Sequence, residues 1–330
     1  MHIFTNPNYN FLRWRWHAVA LSWVVIIAGL SVIYTKGLQK GIEFAGGTSV
    51  IMQFDQTPSV DAVRTGLNQN FAGGGQDAIV QTYGDPSLRQ IMVRVPQVGA
   101  EQGASLSSTA QAIEAALRKA NLNPKVVGTE IVGPAVGAEL TQKGISAFIL
   151  SLVGILAYIA FRFEFSFAVG AVVATIHDVL VTFAFLAFFR YDITLNVIAA
   201  ILTVTGYSTN DTIVIFDRVR ENIRKMRRQS LSEIINVAIN QTLGRTVITA
   251  GTALLSAIAL FLFGGEVLHG FAFTMIVGIV TGTYSSVFVA AAIVTFWRRK
   301  SESRMSAAPA AAATAPPPRR SKSQRKARAS

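Results

Sequence analysis

Two polar dyads, His177-Asp178 and Asn210-Asp211, break long apolar stretches of this sequence. An aspartate in hydrocarbon costs roughly 2.5–3.5 kcal/mol, so such residues turn towards the interior of a helix bundle and mark ion or proton paths. At helical spacing Thr203, Gly206, Tyr207, Asn210 and Asp211 share one face of a segment otherwise rich in Ile, Val and Ala. Arg245 opens a later apolar run and is expected to reach Asp211. Desolvation favours a neutral carboxyl, and a close guanidinium favours the carboxylate. A pair whose separation varies can take up and release a proton. Asp211, Arg245 and Asn210 therefore form a candidate relay, with Asp178 as a weaker member. The alternative is that these groups only tie helices together, at about 0.6 kcal/mol per hydrogen bond. His177 reads as structural.

Other chemistry finds less support. The chain has no cysteine, which excludes disulfides, thiolate metal sites and cysteine nucleophiles. Gly41-Ile42-Glu43-Phe44-Ala45-Gly46-Gly47-Thr48 has the spacing of a phosphate-binding loop, but Gly47 stands where the lysine is needed. Without that cation the phosphates lose their main counter-charge, so Gly46 and Gly47 read as residues of a tight turn. No metal site and no covalent catalysis are expected.

Six apolar runs must position these residues: 18–34, 144–161, 165–189, 193–216, 246–263 and 271–297. Each is about 17 residues or longer, enough to cross a hydrocarbon core of about 30 Å. The first follows Arg13 and Arg15 and is too long for a signal peptide, so it reads as an uncleaved anchor. Lys and Arg in the short connections set orientation. With residues 1–17 in the cytoplasm, Arg162, the 217–245 loop and the 298–330 tail also fall inside.

The 330-residue chain is 51% apolar and only 15% charged, with mean hydropathy +0.42, yet carries a formal charge of +12. A soluble nucleic-acid binder does not combine these values. The tail contributes +9 and the 217–245 loop +4, so the excess follows topology. Asp217, Arg218, Arg220 and Glu221 continue the fourth helix as interface anchors. The Arg224, Lys225, Arg227 and Arg228 cluster suits anionic membrane lipid at about 1 kcal/mol per charge; topology enforcement explains it equally well. Ser230-Leu231-Ser232-Glu233 is a capping-box pattern, predicting a short amphipathic helix on the membrane surface before the fifth span. Residues 306–330, Ala/Pro-rich and then basic, are expected to be disordered.

Residues 35–143 predict a small α+β domain outside the membrane. Strands are expected at 48–55, 78–83, 90–95 and 125–132, and helices at 60–71 and 107–120. The β-α-β-β-α-β order is that of the ferredoxin-like split unit. Gly73-Gly74-Gly75 reads as a turn.

The stretch Gly206-Tyr207-Ser208-Thr209-Asn210-Asp211-Thr212, running on to Phe216-Asp217-Arg218-Val219-Arg220-Glu221-Asn222, closely resembles the SecF family of translocon accessory subunits, in the RND superfamily. The glycine-rich 41–48 segment, the run from Val132 to Leu140 and Thr242-Leu243-Gly244-Arg245-Thr246 agree, and the resemblance covers nearly all of 10–300. Glu43 departs from the aspartate usual there, and the basic tail is not part of the family pattern. The resemblance implies a membrane all-α six-helix bundle, half of an RND-type transmembrane unit, with the ferredoxin-like domain inserted after the first span. It implies a bacterial inner-membrane protein paired with SecD and associated with the SecYEG channel. YajC and YidC are further implied partners, and the SecA motor a functional one. The implied substrate is an unfolded preprotein, drawn outward by proton flow with no cofactor beyond the proton gradient. The family's proton-conducting aspartate and arginine map onto Asp211 and Arg245. An RND-type exporter of small molecules, or a scaffold without proton conduction, remain the alternatives.

Overall fold

The computed structural model describes residues 7–71, 78–95, 103–163, 165–226 and 228–297. The expected turn at 73–75, Arg227 and the tail from 298 lie outside them. Long apolar runs fold as long helices: α1 Arg15–Lys36, α5 Pro134–Arg162, α6 Phe165–Phe188, α7 Leu195–Lys225, α8 Leu231–Phe263 and α9 Gly265–Ser285. α9 passes through a π-helical turn, Ser286–Ala290, and runs on to Trp297. Five of these helices are long and apolar enough to cross a membrane; α7 is the exception. Its polar residues between Thr203 and Asp211, and its charges beyond Phe216, dilute an otherwise apolar segment.

One expectation needs correction. The separate amphipathic helix before the fifth span does not exist, because α8 runs unbroken from Leu231. The Ser230–Glu233 capping box is present, but it opens a 33-residue helix, and Gly244 within it is tolerated at about 1 kcal/mol. α5 begins at Pro134, ten residues before the expected span. Proline suits this first helical position because its missing N–H needs no partner there.

Close approach through small residues fixes the packing of the inner helices. A Cβ on Gly278 of α9 would stand 2.3 Å from Val204 of α7, and one on Gly29 of α1 would stand 2.1 Å from Ala184 of α6. Phe167, Phe216, Ile235 and Ile239 form one end of the core. There the segment before α1 is clipped to α8. Asn240 accepts from the Tyr9 amide at 2.8 Å and Asn236 accepts from the Phe11 amide at 2.9 Å. α5 and α8 leave much of their apolar surface uncovered, including Leu150, Val153, Leu255 and Leu262.

The chain between α1 and α5 forms a sheet domain. After the single turn α2 (Ile42–Ala45) come β1 Gly47–Gln53, α3 Val60–Asn70, β2 Ile79–Tyr83, β3 Gln90–Val95, α4 Gly103–Lys119 and β4 Lys125–Val132. The strands lie in the order β2-β3-β1-β4, every neighbour antiparallel. Alternation puts Val50, Met52, Ile91 and Val93 on one face, where Val63 and Leu67 of α3 and Ile113 and Leu117 of α4 cover them. Gly46 and Gly47 enter β1 with φ of +69° and +125°, conformations that glycine adopts without a Cβ penalty.

Candidate functional site

α7 carries two polar faces with different fates. Thr205, Ser208, Thr209 and Thr212 are buried against α6 and α9. Thr203, Gly206 and Asn210 are exposed, and Tyr207 and Asp211 are half-buried at the edge between the two faces. The predicted stripe thus does not point into the bundle interior, as expected, but along its open side. Nothing within 4 Å would meet a Cβ on Gly206.

Asp211 is gripped from two helices. Thr246 Oγ1 of α8 donates to Oδ1 at 2.7 Å, and Ser286 Oγ of the π-turn donates to Oδ2 at 2.6 Å. The expected contact with Arg245 is not made. Arg245 is exposed, and among the described residues no ion pair joins it to Asp211. Successive helical residues point about 100° apart, so when Thr246 faces Asp211 its neighbour must turn away.

Asp178 occupies a second, fully enclosed centre and is 2% exposed. Its Oδ2 accepts from Ser208 Oγ of α7 at 2.5 Å and from Ser285 Oγ of α9 at 2.8 Å, while Oδ1 lies 2.9 Å from His177 Nδ1. Three donors suit a carboxylate, which only accepts. Among the described residues His177 Nε2 is buried without a partner, and His177 lines an apolar cavity of about 430 Å³ between α1, α6 and the end of α9. Tyr284 stacks near His177 and binds the Ala18 carbonyl of α1.

The other singled-out residues lie apart from these centres. Asp217 faces Arg162 at 3.7 Å, both solvated, and Arg218 pairs with Glu221 on its own helix. Lys225 and then Arg218 hold the Glu221 carboxyl below the usual range. Gly46 packs on Pro134 at the foot of the sheet domain. Ser285 and Ser286, which hold the two aspartates, escaped the sequence reading; their signal was the polar run Thr281-Gly282-Thr283-Tyr284-Ser285-Ser286 inside the last apolar segment. Thr246 was named only as part of a motif, without its contact to Asp211.

A third polar centre joins the sheet domain to the bundle. Arg94 of β3 and Asp192, in the α6–α7 connection, pair at 2.9 Å, nearly buried. Gly41 N donates to the Ile193 carbonyl and Ile193 N to the Gln39 carbonyl, each at 2.7 Å. A cavity of about 450 Å³ opens beside this joint, with Glu43, Glu130, Glu266 and Tyr83 on its walls. Burial and then the Glu266 charge push the Tyr83 and Tyr191 phenols up.

The chain is similar to known proteins. The family model described as "Protein export membrane protein SecD/SecF, C-terminal" matches residues 112–300, and that of the "SecD/SecF GG Motif" matches 31–58. The protein translocase subunit SecF of Desulfurispirillum indicum is 42% identical over 291 residues, 87% of this chain and 91% of that protein. The SecF of Escherichia coli O157:H7 is 40% identical over 285 residues, 86% of each. The crystal structure of SecDF, a translocon-associated membrane protein from Thermus thermophilus, aligns with a TM-score of 0.79 at 34% identity, over 89% of this chain. SecDF in a super-membrane-facing form aligns at 0.66 and 33% identity, over 92%. The chain spans 39% and 40% of those two SecDF chains.

Proposed function

The chain belongs to the SecF family of protein translocase subunits, and from that premise we propose that it is one half of a proton-driven export machine, with SecD as the other half. It is a multi-pass membrane protein. In our reading α7 crosses the membrane together with α1, α5, α6, α8 and α9, making six spans of an RND-type unit. The β-α-β-β-α-β order, with the strand sequence β2-β3-β1-β4, supports a ferredoxin-like sheet domain. The basic residues at the α5–α6 and α7–α8 connections favour a bacterial inner-membrane orientation with both termini cytoplasmic and the sheet domain outside.

One observation carries this proposal. Asp211 sits at the edge of a polar helix face that this chain leaves open, held by hydroxyls from two other helices. A stripe of Thr203, Gly206 and Asn210 facing hydrocarbon would be costly. A second bundle seated on that stripe encloses Asp211, and Arg245 on the neighbouring helix supplies a cation near the path. One charge crossing 100 mV releases about 2.3 kcal/mol, enough to bias an open–closed equilibrium about fifty-fold. The sheet domain converts that bias into movement of an emerging unfolded preprotein, with no cofactor besides the proton gradient. The SecYEG channel, with SecA pushing from the cytoplasm and YajC and YidC alongside, completes the proposed assembly.

The test is an export assay in inverted membrane vesicles with and without a proton gradient. Asp211→Asn is expected to co-purify with SecD and to lose the gradient-dependent late step of export. Full gradient-dependent export by that variant would leave a scaffold as the better account.

A further inference from the structure

Ser285 and Ser286 are adjacent residues, yet each holds a different aspartate. Ser285 Oγ lies 2.8 Å from Asp178 Oδ2 and 3.2 Å from its own helix's Gly282 carbonyl. Ser286 Oγ lies 2.6 Å from Asp211 Oδ2 and 3.0 Å from the Thr283 carbonyl. A serine hydroxyl has one hydrogen and two acceptor lone pairs, so each serine can donate to its aspartate or to its own helix. Both stand where α9 passes from α-helix into the π-turn. Such turns leave the backbone hydrogen-bond ladder irregular and recur at functional sites.

We propose that Asp178 is a second proton-holding site, and that Ser285 and Ser286 link it to Asp211 through the π-turn. This rests on the reading of Asp211 as a proton carrier. When Asp211 is charged, Ser286 donates to it. When Asp211 gains a proton, the new O–H donates to Ser286 Oγ, and the serine hydrogen swings to the Thr283 carbonyl. Asp178 does the same with Ser285 and the Gly282 carbonyl. No bond other than O–H is made or broken, and each step moves one proton. Because the two carbonyls belong to consecutive peptide units of one turn, rotating either hydroxyl changes the geometry the other serine experiences.

The surroundings of Asp178 fit this role. Among the described residues no Lys or Arg forms an ion pair with the buried pair of His177 and Asp178, and His177 Nε2 has no hydrogen-bond partner. His177 on its own helix and Tyr284 of α9 are the titratable groups that face Asp178; α7 offers only the Ser208 hydroxyl, and α1 reaches the group through Ser22 and Tyr284. Tyr207 of its own helix and Arg245 of α8 are the titratable groups nearest Asp211 in charge, Arg245 turned outward, with the Thr246 and Ser286 hydroxyls in contact.

Infrared difference spectroscopy of the full chain with its SecD partner in lipid, titrated over pH, reads both carboxyls directly. Two protonated-carboxyl bands are expected. Asp178→Asn should remove one, Asp178→Glu should restore a shifted one, and Asp211→Asn should remove the other. Ser286→Ala leaves both carboxylates in place, and it should move the midpoint of the Asp178 band by about half a pH unit, about threefold in proton affinity. Ser285→Ala should move the Asp211 band similarly, and it serves as the readout if Asp178→Asn fails to assemble. A spectrum unchanged by Asp178→Asn overturns the second site. Two bands that each ignore the other's serine overturn the link. Loss of export in Asp211→Asn beside a silent Asp178 would defeat this inference alone, whereas normal gradient-driven export in Asp211→Asn would defeat the underlying reading whatever Asp178 does.

Discussion

At the residue scale, the two aspartates differ in what their neighbours allow. Asp178 accepts three hydrogen bonds in a closed site, and Asp211 accepts two at an open edge. Thr246→Val keeps the shape of that site and removes one donor to Asp211. A hydrogen bond to a charged group contributes about 1.5–3 kcal/mol, so the variant's Asp211 should bind its proton about tenfold or more tightly. The pH midpoint of gradient-dependent export should rise accordingly, while assembly with SecD is unchanged; an unmoved pH profile would remove Thr246 from the account. The sequence pointed to Asp211 because a carboxylate within an apolar run is conspicuous. It misassigned the partner because residues 245 and 246 differ by one helical step, and only packing decides which of them faces α7.

The element scale is where hydropathy was most and least informative. Long apolar runs fall on the five helices apolar enough to cross a membrane, and β-rich segments fall on the four described strands. They could not reveal that α8 is continuous, because an amphipathic surface turn and a membrane span have the same helical backbone. Nor could they locate the π-turn, which inserts a residue into a ladder without changing composition. The Arg94–Asp192 joint was equally hidden, since its two halves lie 98 residues apart. Removing one member of a buried ion pair typically costs about 3–5 kcal/mol. Arg94→Ala should therefore raise amide hydrogen exchange across β3 and residues 190–194, with α3 and α4 unaffected. Unchanged exchange there would mean that the paired backbone of Gly41 and Ile193 alone fixes the sheet domain.

The whole molecule looks like half of something larger. Apolar α5 and α8 are thinly covered, and the polar edge of α7 lies open. Two glycine substitutions separate internal packing from association. Gly278→Leu drives a side chain into Val204 and should destabilise the isolated chain by about 1–3 kcal/mol, seen as a lower melting temperature in detergent. A Cβ at Gly206 meets nothing within 4 Å among the described residues, so Gly206→Leu should leave that temperature unchanged while weakening co-purification with SecD. Equal melting and equal association for both would argue against a partner on the open face. Chains crosslinked to residues 41–140 during export should be unfolded preproteins; protection by small lipophiles alone would favour an exporter.

The central claim is that a proton crosses beside Asp211 at the joint between the two halves. Proton entry into proteoliposomes containing the full SecD–SecF pair, followed with an internal pH dye under an imposed gradient, tests it most directly. The account predicts measurable flux for the native pair and a fall to the level of empty vesicles for Asp211→Asn, with equal amounts of assembled complex. Flux that survives Asp211→Asn undiminished would contradict it.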